Sequence, residues 1–205
     1  SLFDRLKATN PERFAESLQK VVPVTGDITR DLLGCDADVY ARMLEEVDLI
    51  IANAATVEFD APLDSSLRLN ALGPQKLLDF ARSCRNCATM VQVSTAYVNG
   101  RLPGTIGEQL LPINRTISQM MSDSAVKEDF DPDREVEDCR AACELIQNKA
   151  SSQLQRNAFR DEILSQPNSR RPTAKRLDKL VDDRCKNWLR RELVHEGMAR
   201  AKAFG

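Results

Sequence analysis

Apolar and charged positions alternate with helical spacing from Leu2 to Leu18, with Leu2, Phe3, Leu6, Phe14 and Leu18 on the apolar side. Asn10-Pro11 interrupts this run and predicts a second helix that starts at Pro11 with Asn10 as its cap. Val21 to Thr25 is a short apolar run closed by Gly26, the pattern of a buried strand ending in a turn. Asp38 to Glu46 reads as an amphipathic helix. Asp48-Leu-Ile-Ile-Ala-Asn-Ala-Ala55 is apolar on both faces, which predicts a central parallel strand. Leu63 to Cys84 predicts one long helix with Leu67, Ala71, Leu77, Leu78 and Ala81 facing inward. Thr89 to Thr95 predicts another short buried strand. Strand, helix, strand, helix, strand over residues 21–95 is the order of a parallel sheet with crossover helices, the doubly wound α/β class.

The pattern changes after Gly104. Ala142, Ile146, Ala150, Leu154 and Ala158 recur at helical spacing, as do Leu177, Leu180, Val181, Trp188 and Leu189. They predict two long amphipathic helices joined near Ser165–Ser169. The chain thus reads as two parts: residues 1–104 as part of a doubly wound sheet, and residues 105–205 as a mainly helical insertion or tail.

Charge adds one feature. The chain carries 29 basic and 31 acidic side chains over 205 residues, a formal net charge of −2, which argues against a generally cationic nucleic-acid binder. In the tail the charges are segregated. Residues 123–144 hold nine acidic and three basic side chains, and residues 170–191 hold nine basic and three acidic ones. Either these are two solvated faces, or the acidic stretch lies over the basic one. A basic helix that covers an acidic substrate is a further option. No apolar run is long enough for a membrane-spanning helix, and no segment reads as a secretory signal. Free thiols and a cytoplasmic location, with peripheral membrane contact as an option, are therefore the expectation.

Six cysteines, Cys35, Cys84, Cys87, Cys139, Cys143 and Cys185, include one C-x-x-C pair, Cys84 to Cys87. A structural zinc site generally needs a second such pair, and His195 is the single histidine, so no metal site is expected. Cys139 and Cys143 lie four apart on one helical face and read as small buried residues.

Three segments can carry chemistry. In Val24-Thr-Gly-Asp27-Ile28 an aspartate follows a strand, at the binding edge of a doubly wound sheet; a plain Gly-Asp turn is the competing reading. In Ala52-Asn-Ala-Ala55-Thr56 small residues at a strand end permit close approach by a cofactor; tight packing is the competing reading. Asn70 lies inside the predicted helix, where asparagine is unfavourable, and so points to a buried amide with a hydrogen-bonding task. Val91-Gln-Val-Ser94-Thr95-Ala-Tyr97-Val-Asn-Gly100 ends a strand in two hydroxyls and a tyrosine. A hydroxyl there can stabilise oxygen as negative charge develops on a carbonyl, against ordinary strand-end capping.

Taken together, Gly26-Asp-Ile28, Ala54-Ala-Thr-Val-Glu-Phe-Asp-Ala-Pro-Leu63, Leu69-Asn-Ala-Leu-Gly73 and Val93-Ser-Thr-Ala-Tyr-Val-Asn-Gly100 resemble the extended short-chain dehydrogenase/reductases, and among them the fatty acyl-CoA reductases. The resemblance covers residues 1–104 and is weaker over the tail. It implies a Rossmann-like domain and NADPH-dependent reduction of a fatty acyl thioester to aldehyde or alcohol. Thr95 would be the catalytic hydroxyl. Asp27 and Ile28 would contact adenine, and Ala54, Ala55 and Thr56 would line the pyrophosphate and ribose path. Val93 and Ser94 would border the nicotinamide, Asn70 would support the site, and Tyr97 would point toward the substrate.

Two of the family's features are missing from the sequence. The glycine-rich pyrophosphate turn is absent, and only 8 glycines occur in all. No Tyr-x-x-x-Lys pair occurs either. The expectation is an internal fragment that is inactive alone, partnered by the remainder of its own polypeptide. Lacking lateral neighbours, its strands would leave bare edges. Two other readings stay open: a thioester-reductase domain acting on carrier-bound acyl groups, and a non-catalytic α/β scaffold whose charged tail binds a protein or an acidic membrane surface.

Overall fold

The computed structural model describes residues 2–86, 89–95, 105, 107, 131–165 and 172–204. Tyr97, Cys87, Gly100 to Gly104 and the acidic residues Asp123, Glu128 and Asp129 lie outside them. The architecture is mixed α/β and mostly helical, with a two-stranded open parallel sheet. The chain divides into two compact units, Ser1–Ile50 with Lys76–Met90, and Ile51–Gln75 with Val91–Gly205.

Helices α1 (Leu2–Thr9) and α2 (Pro11–Leu18) break where the sequence predicts. Asn10 Oδ1 accepts from Arg13 N at 3.1 Å, and Pro11 occupies the first turn, where its missing N–H costs nothing. The strand predicted at residues 21–25 does not form. Val21, Val22 and Val24 are exposed and unladdered among the described residues. An apolar extended segment becomes a strand only when a neighbour takes its lateral N–H and C=O groups, and Pro23 has no N–H to give.

Helix α3 (Ala37–Glu46) is followed by β1 (Leu49–Ala52), and β2 is Thr89–Gln92. Thr89 N donates to Asp48 O at 2.7 Å and Val93 N to Ala52 O at 2.9 Å. Both bonds advance in the same direction along the two strands, the parallel pattern. The strands are shorter and barer than predicted. Leu49 and Ile51 are exposed, Ile51 by 65%, and only Ala52 is buried. A two-stranded sheet lacks the layers that would cover both faces of a central strand.

The predicted helix over residues 63–84 is broken in the middle. It comprises α4 (Leu63–Ser66), a π-turn (Leu67–Leu72) and α5 (Gly73–Ser83). A π-turn inserts one residue and so rotates the helical face on its N-terminal side against the face on its C-terminal side. Ala71 and Leu78 are exposed, and the buried side is Phe80 and Ala81 of α5 with Cys84 just beyond its end.

In the first unit the Tyr40 ring of α3 meets Phe80 at a centroid distance of 5.3 Å. Arg85 N donates to Leu44 O at 2.8 Å, Arg85 Nη1 pairs with Glu45 Oε2 at 2.5 Å, and Asn86 Nδ2 donates to Glu45 O at 3.0 Å. These bonds fasten the end of α5 to the end of α3.

The second unit holds three tail helices, α6 (Pro132–Ser151), α7 (Gln153–Leu164) and α8 (Ala174–Phe204), with α6, α7 and α4 packed on α8. The first predicted tail helix is thus two. Ser152 leaves helical geometry and its hydroxyl accepts from Gln155 N at 3.2 Å, starting α7 afresh. Leu154 is consequently exposed, not inward. The core is Phe159, Val181 and Cys185, flanked by Ile163, Leu177 and Trp188. Cys139 and Cys143 are buried as expected.

Among the described residues, no acid of the acidic stretch forms an ion pair with a base of the basic one. Asp182 and Asp178, acids within the basic stretch, take Arg156 and Arg160 of α7 at 2.7 and 2.6 Å, and Arg184 pairs with Glu162 at 2.5 Å. From the acidic stretch Glu135 pairs with Arg200 at 3.1 Å, beyond the basic run.

Candidate functional site

The turn after residue 25 is built on close backbone approach. Asp27 N donates to Leu33 O at 2.7 Å, and Arg30 N donates to Asp27 O at 3.0 Å. Leu32, Leu33 and Gly34 all take positive φ, 51°, 54° and 67°. For leucine this conformation costs about 1–2 kcal/mol per residue, so surrounding bonds must hold it. Gly34 is required here, since an added Cβ would lie 2.7 Å from Asp27 N. At Gly26 a Cβ would meet Leu33 O at 2.9 Å.

Within this turn Asp27 Oδ1 accepts from Thr29 N at 2.9 Å and from Thr29 Oγ1 at 2.7 Å. Its carboxylate is thereby fixed at the surface, with Ile28 half-buried behind it. Lys76 of α5 adds an external tie. Its Nζ donates to Thr29 O at 3.2 Å and to Asp31 Oδ1 at 3.0 Å. Sequence reasoning missed Lys76, because a lysine on a helical surface gives no signal of a partner 47 residues away. The leucines at positive φ were equally hidden. Of the three, only Gly34 is of a residue type that favours a left-handed turn.

In the second unit, β1 ends and Asn53-Ala54-Ala55 continues as exposed backbone with no side chain beyond Cβ at Ala54 and Ala55. Thr56 N then donates to Asn70 Oδ1 at 2.9 Å, while Asn70 Nδ2 donates to Thr56 O at 3.1 Å. The Asn70 amide therefore reads the backbone of Thr56 in both directions, as a strand neighbour would. Asn70 sits in the π-turn, which supplies the geometry for this reach. The hydrogen-bonding task predicted for Asn70 is present, but the residue is exposed, not buried. Val93, the first residue after β2, is anchored to Ala52 through its N–H, and exposed Ser94 and Thr95 follow it.

The structure thus joins Thr56 to Asn70 and Val93 to the end of β1. Asp27 and Ile28 belong to the first unit, and Tyr97 lies outside the described residues. Burial pushes the thiols of Cys84 and Cys143 up, and takes Cys139 to about 11 with help from its bond to Glu135. Burial and then the neighbouring Cys84, Asp79 and Cys35 raise Tyr40. All of these groups stay protonated at neutral pH. No cluster of described His, Cys, Asp or Glu residues could hold a metal ion. No described helix is long and apolar enough to cross a membrane.

The sequence is matched in known proteins. A family model of NAD-binding domains, described as male sterility protein, matches residues 1–181. Fatty acyl-CoA reductase 2, chloroplastic, of Arabidopsis thaliana is 36% identical over 136 residues, covering 66% of this chain and 22% of the relative. Fatty acyl-CoA reductase 1 of the same plant is 42% identical over 101 residues, 49% of this chain and 21% of the relative. Alcohol-forming fatty acyl-CoA reductase of Simmondsia chinensis is 41% identical over 92 residues, 44% of this chain and 19% of the relative. The matched region is thus about a fifth of each relative's length. The chain belongs to the male sterility protein family of NAD-binding domains, the fatty acyl-CoA reductase type that its motifs resemble.

Proposed function

We propose that this chain is the part of an NADPH-dependent reductase that seats the cofactor and holds the carbonyl of a fatty acyl thioester, which is reduced to aldehyde or alcohol. The observation that carries the reading is the two-way bond between Asn70 and Thr56. It fixes the path of a strand-end loop whose exposed Ala54 and Ala55 leave room for a close-lying group. The loop of Ala54, Ala55 and Thr56 fits part of a dinucleotide. Ala54, Ala55 and Thr56 would flank its pyrophosphate and ribose, and the fixed carboxylate of Asp27, with Ile28, would meet its adenine. Val93 and Ser94 would border the nicotinamide ring, which supplies hydride when bound. Thr95 would donate its hydroxyl proton in a hydrogen bond to the thioester oxygen and steady the charge that develops there. Tyr97 would face the acyl substrate. With no Tyr-x-x-x-Lys among its residues, the chain alone is expected to show no turnover.

The test is an exchange. The chain replaces its aligned segment in Arabidopsis Fatty acyl-CoA reductase 1, and NADPH oxidation is followed with a long-chain acyl-CoA. Retained, acyl-CoA-dependent oxidation is the expected result. In the same protein Asp27→Ala should raise the KM for NADPH about tenfold, the loss of one charged hydrogen bond. A folded exchange protein that reduces only carrier-bound acyl groups, or none, would overturn the assignment.

A further inference from the structure

Helix α8 carries one surface that packing leaves unused. Lys175, Lys179, Lys186 and Arg190 are separated by four, seven and four residues, so they share one side of the helix. All four are exposed, and none forms an ion pair among the described residues. Among the other cations of the helix, Arg184 and Arg200 are engaged with Glu162 and Glu135, and Arg191 with Glu192. Asp182 and Asp183 border the stripe on its two sides, and Asp182, like Asp178, is paired, with Arg156 and Arg160 respectively. The stripe spans about 22 Å of straight helix. Along its edge, at matching helical angles, run exposed Leu180, half-buried Val194 and Met198, which is 61% exposed.

We propose that this face of α8 docks the protein on an anionic lipid bilayer. A straight row of cations on one helix side matches a planar negative surface, where each Lys or Arg adds attraction. The apolar row beside it matches the boundary between headgroups and acyl chains, which is the composition of interfacial helices. A nucleic acid would use the cations but gain nothing from Leu180 and Met198, and the acidic chain as a whole offers no general field for one. This surface is independent of the reductase site, and its occupancy needs no cofactor.

Flotation of the 205-residue protein with vesicles tests it. Binding is expected to phosphatidylcholine vesicles containing phosphatidylserine, and not to phosphatidylcholine alone, with steep loss on adding salt. Replacing Lys175, Lys179, Lys186 and Arg190 by Gln should weaken binding on the order of a hundredfold or more, about fivefold per cation. Helix content by circular dichroism serves as the folding control. Leu180→Ser with Met198→Ser should weaken binding while leaving the salt dependence in place. Binding of the four-Gln variant equal to the parent, equal binding to neutral vesicles, or binding to polyuridylate or polyglutamate without binding to any vesicle would overturn the proposal.

Discussion

The helices of residues 131–204 and the strand-bearing residues 21–95 solve the same problem unequally. In the helical region, Val181 is only 1% exposed and packs with Phe159 and Cys185. In the strand-bearing region, Ile51 and the valines at 21, 22, 24, 91 and 93 remain exposed although they are the most strand-prone residues of the chain. The difference lies in where the partners come from. A helix satisfies its own backbone and needs only one apolar stripe covered, which α6, α7 and α8 do for each other. A parallel strand needs lateral partners and cover on both faces. In place of that cover, the strand-bearing region has point fastenings: Lys76 on the Thr29 turn, Asn70 on Thr56, and Arg85 on Glu45.

If that contrast holds, core truncation should hurt most in the helices. Phe159→Ala, which removes the ring that meets Trp188 at 6.4 Å, should cost about 3–5 kcal/mol in urea denaturation followed by helix signal. The next largest effect should be at a fastening. Gly34→Ala forces a Cβ against Asp27 N and should destabilise by about 2 kcal/mol, with shifted amide resonances at Asp27 and Thr29 and none in α7. Asn70→Ala removes one partner of two exposed bonds and should cost about 1 kcal/mol, while speeding amide exchange at Thr56 N. Asp131→Ala should also cost about 1 kcal/mol or less, since Asp131 Oδ1 caps α6 by accepting from Asp133 N and Arg134 N at 3.0 and 3.2 Å.

Smaller changes are expected with pH. The folded-state pKa of Cys139 is raised to about 11 from 9.0, mainly by burial. The unfolded thiol therefore ionises first, and the contribution is whole below pH 9.0 and lost as pH rises toward about 11. Alkylation at pH 8 should accordingly mark partly exposed Cys35 well before buried Cys84, Cys139, Cys143 and Cys185. Equal rates at Cys139, Cys143 and Cys185 would mean the packing of the tail helices is open.

Helices with a strong stripe and a clear stop were legible in the sequence: α1, α2 and α3 lie where spacing, Asn10-Pro11 and the run to Glu46 put them. What the sequence hid was non-local or a matter of phase. No local pattern distinguishes a valine run with lateral partners from one without, so the run at 21–25 predicts a strand that does not form. The π-turn at 67–72 and the break at Ser152 each shift a helical face, and periodicity assumes one phase throughout. The site divides in the same way. Asn70 was legible because asparagine is a poor helix residue, and Asp27 because it comes after an apolar run and a glycine. Lys76, Leu32 and Leu33 carried no such anomaly.

The account turns on Thr95 as the group that steadies the thioester oxygen. In the exchanged Arabidopsis reductase, Thr95→Ala should lower kcat about 10²–10³-fold, the size of losing one hydrogen-bond donor at a developing oxyanion, with little change in the KM for NADPH. Thr95→Ser should restore most of the rate. A Thr95→Ala protein that turns over within about threefold of its parent, well short of such a loss, would contradict the account.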